Sequence, residues 1–255
     1  MSALELFNLD GKVALVTGSA QGLGREISLG LAQSGCSLVL ADLVEPEETA
    51  TQVKAIGSRS ISVRVDVSNE SAVRDMVDKS IAEYTKVDIL VNNAGISQLN
   101  FTATEDLPVD EWDKVLAINL RGTFLCCKHV GKRMIGSGGG SIINISSTAG
   151  INGIVRAPAY CASKAGAILL TKSLALEWAR YNIRVNAIAP HYLETELTKG
   201  LRASEKVFDG LVRQIPMRRF AKPSEVVGTV LHLSSSASSY ITGTVVTVDG
   251  GFSAQ

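Results

Sequence analysis

Seven short runs rich in Val, Ile and Leu recur along the chain, each separated from the next by a longer stretch with helical patterning. The runs are KVALVT (12–17), SLVLAD (37–42), SISVRVD (60–66), VDILVNN (87–93), GSIINIS (140–146), IRVNAIAP (183–190) and GTVVTVDGG (243–251). The helical stretches fall at about 23–34, 45–56, 69–84, 109–134, 158–180, 195–213 and 224–234, with Pro108 opening the long one. Strands that are β-branched on both faces and alternate with helices point to a parallel sheet covered on both sides. The expected fold class is α/β, a doubly wound parallel sheet of about seven strands. No linker, repeat or low-complexity tract interrupts the pattern, so residues 1–255 are expected to form one domain.

Charge and cysteine content narrow the partners. The chain of 255 residues carries 25 Lys and Arg against 25 Asp and Glu. That balance gives no electrostatic case for nucleic acid or an anionic membrane surface. No apolar run approaches the roughly 18 residues needed to span a bilayer. The opening residues, MSALELFNLDGK, carry Glu5 and Asp10 and lack a basic segment followed by an apolar one. No signal peptide is therefore expected, and the expected location is the cytoplasm. Cys36, Cys126, Cys127 and Cys161 form no CxxC pair and are expected as small buried residues in a reducing compartment. No cluster of His, Cys and carboxylates has zinc spacing, so no metal site is expected.

VTGSAQGLG (16–24) follows the first run and opens the first helix. Gly18, Gly22 and Gly24 permit a tight turn and close approach of backbone to a ligand. The free N–H groups and positive end of a helix favour a pyrophosphate there. Ser19, Gln21 and Leu23 belong to the same turn. Asp42 closes the second run, 18 residues after Gly24. A carboxylate in that place accepts hydrogen bonds from a ribose 2′-hydroxyl and repels a 2′-phosphate. Gln21 and Leu43 offer no positive charge to offset the repulsion. Arg25 carries one, but its place on the first helix is expected to face away. The pattern favours NAD over NADP.

The spacing Gly-x3-Gly-x-Gly, together with four later motifs, resembles the short-chain dehydrogenase/reductase family. TGSAQGLG (17–24) is similar to the family's TGxxxGxG cofactor turn, and NNAG (92–95) to its motif after the fourth strand. Ser147, Tyr160 and Lys164 match its Ser…Tyr-x3-Lys pattern, with Ser147 standing 13 residues before Tyr160. Asn119, in AINLRGTF, and VDGG (248–251) complete the set. The resemblance runs from about residue 8 to the C-terminus. It implies a single-domain Rossmann fold with a cofactor half at about 8–135 and a catalytic and substrate half at about 136–255. It also implies a homotetramer built through the helices around 109–134 and 159–180 and the last strand.

A separation of four sets Tyr160 and Lys164 on one helix face. The ammonium is expected to lower the tyrosine pKa. Tyr160 would then exchange a proton with an alcohol or ketone near neutral pH, while Lys164 also holds the cofactor ribose. Composition does not separate the adjacent serines; the family spacing implies Ser147, not Ser146, as the donor to the substrate carbonyl. The resemblance further implies that the backbone carbonyl of Asn119 holds a water connecting Lys164 to solvent. Asn92 is expected to support the sheet, and Asn93, Ala94 and Gly95 to let the ribose lie against backbone. Asp66 and Val67 resemble the pair that flanks the adenine, although Asp66 also suits a capping turn before SNES. Pro190, Tyr192, Leu193 and Thr195 should pass beside the nicotinamide, with the Ile188 backbone and Thr195 holding its carboxamide.

One segment departs from the family. PHYLET (190–195) has Pro190-His191 where the family usually has Pro-Gly. His191 either lines the substrate pocket and contributes selectivity, or points outward. The pocket wall is expected from Ser97 to Asn100, Thr148 to Arg156 and His191 to about Leu211, the last a candidate mobile lid. Candidate substrate contacts are Ser97, Ser147, Arg156 and His191; Arg156 suits either a substrate carboxylate or plain surface. Ile151, Ile154 and Leu197 mixed with Arg156, His191 and Glu194 suit a small polar alcohol or ketone better than a long acyl chain. The whole pattern resembles the gluconate 5-dehydrogenase-like and 3-oxoacyl-reductase-like members of the family. The expected activity is hydride transfer between NAD(H) and a secondary alcohol or ketone such as a sugar acid or polyol. A 3-oxoacyl-thioester reductase is the alternative, and a non-catalytic dinucleotide sensor on the same fold is an alternative of another class.

Overall fold

The computed structural model of the protein describes residues 4–98 and 102–254. Its strands are β1 (Val13–Thr17), β2 (Ser37–Asp42), β3 (Ser60–Arg64), β4 (Ile89–Asn92), β5 (Gly140–Ile145), β6 (Ile183–Pro190) and β7 (Val245–Val248). All pair in parallel in the order β3-β2-β1-β4-β5-β6-β7. Parallel neighbours need a crossover between them, and helices supply it. These are α1 (Gly22–Gln33), α2 (Glu47–Ile56), α3 (Glu70–Tyr84), α4 (Val109–Leu116), α5 (Thr123–Ser137), α6 (Pro158–Trp178), α7 (Lys199–Arg202), α8 (Glu205–Arg213) and α9 (Ser224–Ser234).

Two core layers sandwich the sheet. Strand side chains point alternately to opposite faces, and β1 is buried at every position. Val13 and Leu15 join α3, α5 and α6 through Met76, Val130 and Trp178. Ala14 and Val16 join α1, α2 and α9 through Leu31, Val53 and Val230. The strand order reverses between β1 and β4, where Val16 pairs with Val91. Loops leaving the carboxyl ends of these strands diverge, and the crevice between them is where ligands bind in open α/β sheets.

The structure corrects the expected elements in three places. The stretch 109–134 is not one helix: a π-helical segment, Ala117–Gly122, separates α4 from α5. The stretch 195–213 is a 3-10 turn (Glu196–Thr198) followed by two helices, α7 and α8. β3, β4 and β7 are shorter than their apolar runs: β3 loses residues at its carboxyl end, and β4 and β7 lose them at both ends. Among the described residues, no helix is long and apolar enough to cross a membrane, and no His, Cys and carboxylate group could hold a metal ion. All four cysteines are unpaired. Burial pushes the Cys36 and Cys127 thiols up to about 12, which makes them inert packing groups.

Candidate active site

The turn between β1 and α1 is shaped by glycine. Gly18 and Gly22 have φ of 68° and 56°, a region that side chains rarely adopt. A Cβ on Gly24 would stand 1.9 Å from the Gly18 carbonyl oxygen, so the turn closes only without one. Asn93 plugs it from β4, donating from Nδ2 to the carbonyls of Thr17 and Gly18, each at 3.0 Å. Thr17, a residue that sequence reasoning passed over, accepts the N–H groups of Asn93 and Ala94 on one hydroxyl, each at 3.1 Å. The signal was present: a lone hydroxyl ending an apolar strand beside a glycine turn. Ser19 is fully buried, while Gln21, which precedes α1, is exposed. Gly24→Ala should therefore lower Tm by several degrees and abolish cofactor binding, which thermal melts and titration with reduced cofactor would check.

Asp42 sits at the end of β2 and faces this turn. Its Oδ2 accepts from Ala20 N at 2.9 Å and its Oδ1 from Val44 N at 3.3 Å. Arg25 does not face away as expected. It folds back over the turn, donating to the Ala20 carbonyl and making a two-pronged ion pair with Glu48 at 2.7 and 2.8 Å. The carboxylate occupies the guanidinium, so its charge is largely neutralised locally. Leu43 is exposed beside Asp42. Asp66 accepts from the N–H and hydroxyl of Ser68, which builds the capping turn before α3. Val67 packs against Gly122, where a Cβ would meet it at 2.8 Å.

Asn119 explains the break in the long helix. Its side chain is committed to the loop after β4: Oδ1 accepts Ile96 N at 2.8 Å, and Nδ2 donates to Ile96 O at 2.9 Å and to Ser163 Oγ at 3.1 Å. π-Helical turns appear where a helix is distorted for such a purpose. The Asn119 carbonyl accepts the Thr123 hydroxyl at 2.8 Å. Gly95 lies between: a Cβ there would be 3.2 Å from Asn119 Oδ1 and 3.5 Å from Lys164 Nζ. One asparagine thus ties the β4 loop to α6. Asn92 lies within the sheet and bonds Asn144 across it at 2.8 Å.

Tyr160 and Lys164 occupy the first turns of α6, which Pro158 opens at the position that tolerates proline best. Ser146 and Ser147 divide their tasks. Ser146 donates to the Lys164 carbonyl at 2.9 Å and is buried, so it joins β5 to α6. Ser147 accepts the Ala149 N–H at 3.1 Å and is hydrogen-bonded to the Tyr160 phenol. Lys164 is 6% exposed, donates to the Ile145 carbonyl at 2.9 Å, and places Nζ 5.7 Å from the centre of the Tyr160 ring. Burial pushes this amine down to about 8. Burial also pushes the Tyr160 phenol up, with Ser147 working against it and the neighbouring Tyr192 phenol adding to it. The net push from these groups is thus upward, where a lowering by the Lys164 ammonium is expected from the sequence. Desolvation is the largest influence on the phenol and favours its protonated form.

His191 does not point outward. Its ring is half-buried, stacks on Phe252 at 3.9 Å and sets Nδ1 2.7 Å from the hydroxyl of Thr148, the residue after Ser147. Burial pushes the imidazole down to about 4, so it is neutral at pH 7. Tyr192 stacks on Phe220 at 4.9 Å, and Leu193 is buried and bridges to Ala221. The Thr195 side chain comes within 3.8 Å of where a Cβ on Gly22 would stand, which brings this segment across the glycine turn. Pro190 closes β6 and is buried. Ser97 is half-buried, with its hydroxyl on the Gln98 carbonyl at 3.4 Å. Arg156 is exposed with φ of 60°, on the surface side of its two expected placements. Of the expected pocket wall, Leu99 and Asn100 lie outside the described residues.

A glycine turn at β1, a carboxylate at the end of β2 and a Ser-Tyr-Lys set at the carboxyl edge of β5 define the chain as a short-chain dehydrogenase/reductase, and it belongs to that family of nicotinamide-dependent oxidoreductases. The family model described as Enoyl-(Acyl carrier protein) reductase matches residues 18–253. The chain is 42% identical over 253 residues to the 2-dehydro-3-deoxy-D-gluconate 5-dehydrogenase of Escherichia coli (strain K12), covering 99% of each. It is 40% identical over 247 residues to the NAD-dependent glycerol dehydrogenase of Listeria innocua, covering 96% of this chain and 95% of that one. Among solved structures, it superimposes with a TM-score of 0.94 and 34% identity on a gluconate 5-dehydrogenase from Burkholderia cenocepacia J2315 in complex with NADP and tartrate, covering 100% of both chains.

Proposed function

We propose that the protein transfers a hydride between NAD(H) and the secondary carbinol of a small polar substrate, a sugar acid or polyol, with Tyr160 as the acid/base. The observation that carries this reading is the convergence of Ser147, Tyr160 and Lys164 at one sheet edge, with Gly95 beside Lys164 and its neighbour Ala94 against the glycine turn at Gly18. The glycine turn, Asp42 and the Gly95 approach to Lys164 fit a dinucleotide. When bound, the nicotinamide supplies or accepts the hydride. The protein's own groups do the rest. Ser147, whose oxygen accepts the Ala149 N–H and whose hydroxyl bonds the Tyr160 phenol, would turn its proton to a substrate oxygen placed between the two. Tyr160 holds the proton that the carbinol oxygen gains in reduction, and takes it back in oxidation. Lys164 donates to the Ile145 carbonyl, and its charge stabilises the phenolate whenever it forms. The names of the relatives, a sugar-acid dehydrogenase and a glycerol dehydrogenase, support the polar substrate class. Exposed Phe124 on α5 and Leu169 and Leu176 on α6 support the homotetramer.

NAD is favoured because Asp42 presents a carboxylate at the end of β2, and because Glu48 occupies Arg25, the cation nearest the turn in sequence. A screen of polyols, sugar acids, ketones and a 3-oxoacyl thioester, read by absorbance of the reduced cofactor with NAD and NADP in parallel, tests the reading. Turnover of a polyol or sugar acid is expected, with NAD preferred, and with Asp42→Ala narrowing the preference at least about tenfold. Preference for NADP in the wild type overturns the cofactor assignment. Dinucleotide binding with no turnover of any compound overturns the enzyme assignment and favours a sensor.

A further inference from the structure

Among the described residues, four buried side-chain polar atoms have no hydrogen-bond partner: Asn92 Oδ1, Gln98 Oε1, His191 Nε2 and Ser234 Oγ. Asn92 and Ser234 belong to the scaffold, one inside β4 and the other at the end of α9. Gln98 and His191 do not. They follow β4 and β6, the two neighbours of β5, whose own loop carries Ser147. Buried polar groups are nearly always paired, so two orphans at the ligand-binding edge of a sheet, flanking the reacting serine, call for a ligand.

Each orphan is on a side chain whose other end is already committed. Gln98 is 1% exposed and donates from Nε2 to the Arg156 carbonyl at 3.2 Å, which anchors it at the start of the catalytic helix α6. This leaves Oε1 as a fixed acceptor. The His191 ring is held by Thr148 through Nδ1 at 2.7 Å and by the stack on Phe252, and Thr148 is itself 2% exposed. With one ring nitrogen on a hydroxyl, the other stands ready to bond a second group. Neither anchor is a charged side chain, and the charge that acts on the His191 ring, the Asp249 carboxylate, disfavours an anion there, so the pair suits neutral hydroxyls.

We propose that Gln98 Oε1 and His191 Nε2 are two specificity-determining positions that hydrogen-bond hydroxyl groups on the carbons either side of the reacting carbinol. This rests on the dehydrogenase reading above and sharpens its substrate class. The substrate carries at least three adjacent oxygenated carbons, and a simple secondary alcohol leaves both positions unpaired. A site built to bond a hydroxyl rejects the analogue that lacks it, because its buried polar groups then go unsatisfied.

The test compares kcat/KM for glycerol, 1,2-propanediol and 2-propanol, which carry two, one and no hydroxyl beside the same carbinol. Wild type is expected to favour them in that order, by about tenfold per hydroxyl, the ratio that about 1.4 kcal/mol of lost bonding gives. Gln98→Leu and His191→Phe, the second keeping an aromatic ring against Phe252, should each shrink the glycerol to 2-propanol ratio about tenfold. A purely structural role lowers kcat/KM for all three alcohols alike and leaves the ratio unchanged, which overturns the proposal. So does a wild type that uses 2-propanol as well as glycerol, or that uses none of the three. Should His191→Phe fail to fold, Thr148→Val removes the same anchor and must lower the same ratio. The dehydrogenase reading falls separately, only if the wider screen also shows no turnover.

Discussion

Tyr160→Phe is expected to lower kcat by roughly 10²- to 10⁴-fold, the range that a positioned acid/base group contributes, while the affinity for reduced cofactor changes by less than about twofold. The substitution removes one oxygen and keeps the ring. Ser147 can still hydrogen-bond the substrate oxygen, but no acid/base group then stands behind that bond. The ring's place in α6 is unaffected, so the fold should be too. Steady-state kinetics alongside a fluorescence titration of reduced cofactor separate the two effects. A variant that keeps more than a tenth of wild-type kcat would put proton transfer on another group. Burial raises the Tyr160 phenol, so the free protein holds it as the acid, the form ready for ketone reduction. The alcohol-oxidation direction should accordingly gain on raising the pH, and the reduction direction should not.

Lys164→Met is expected to cut kcat at least about a hundredfold and weaken cofactor binding, and yet to raise stability at pH 7. Desolvation pushes the amine down to about 8 from its ordinary value of 10.5. Between these values the unfolded chain binds more protons than the folded one, so stability rises with pH across the window from about 8 to 10.5. Below about 8 the full cost of burying the ammonium is present, on the order of 3 kcal/mol. Methionine removes it while filling the same space. The lost hydrogen bond to Ile145 returns about 1 kcal/mol of that. Chemical denaturation at pH 7 and pH 10 gives the comparison: the variant should be more stable at pH 7, with the gap closing by pH 10. A variant less stable than wild type at pH 7 would mean that the amine is held neutral or paired in the folded protein. Activity bought with stability in this way is common where a charged group must work in a dry site.

Much of the site was legible before any coordinates. Gly18, Gly22 and Gly24 are readable because glycine adopts the positive φ of the first two at least cost, and a Cβ on the third would stand 1.9 Å from a carbonyl oxygen. Tyr160 and Lys164 are readable because a helical separation of four has one geometric meaning. Ser147 was separable from Ser146 only by resemblance. The structure supplies the physical distinction, since one hydroxyl is consumed by the Lys164 carbonyl and the other reaches Tyr160. Arg25 went wrong because its helix position says nothing about a partner 23 residues away on α2. The uninterrupted helix at 109–134 went wrong for the same reason. The force that bends it is a reciprocal pair of hydrogen bonds between the Asn119 side chain and the Ile96 backbone, across the fold.

Local patterns in the chain are enough to specify the layered α/β architecture, the succession of strands and helices, the cofactor turn and the residue types of the reacting set. All of these rest on local periods, on short separations along one helix, or on residues with a single steric use. What those groups feel is set by folding. Whether Tyr160 is raised or lowered depends on how much water α6 and the loop after β5 exclude. Whether His191 faces solvent or Thr148 depends on Phe252, some 60 residues further along the chain. Electrostatics and polar pairing are sums over neighbours brought together by folding, and the neighbours that matter here come from β4, β5, β6 and the C-terminus at once.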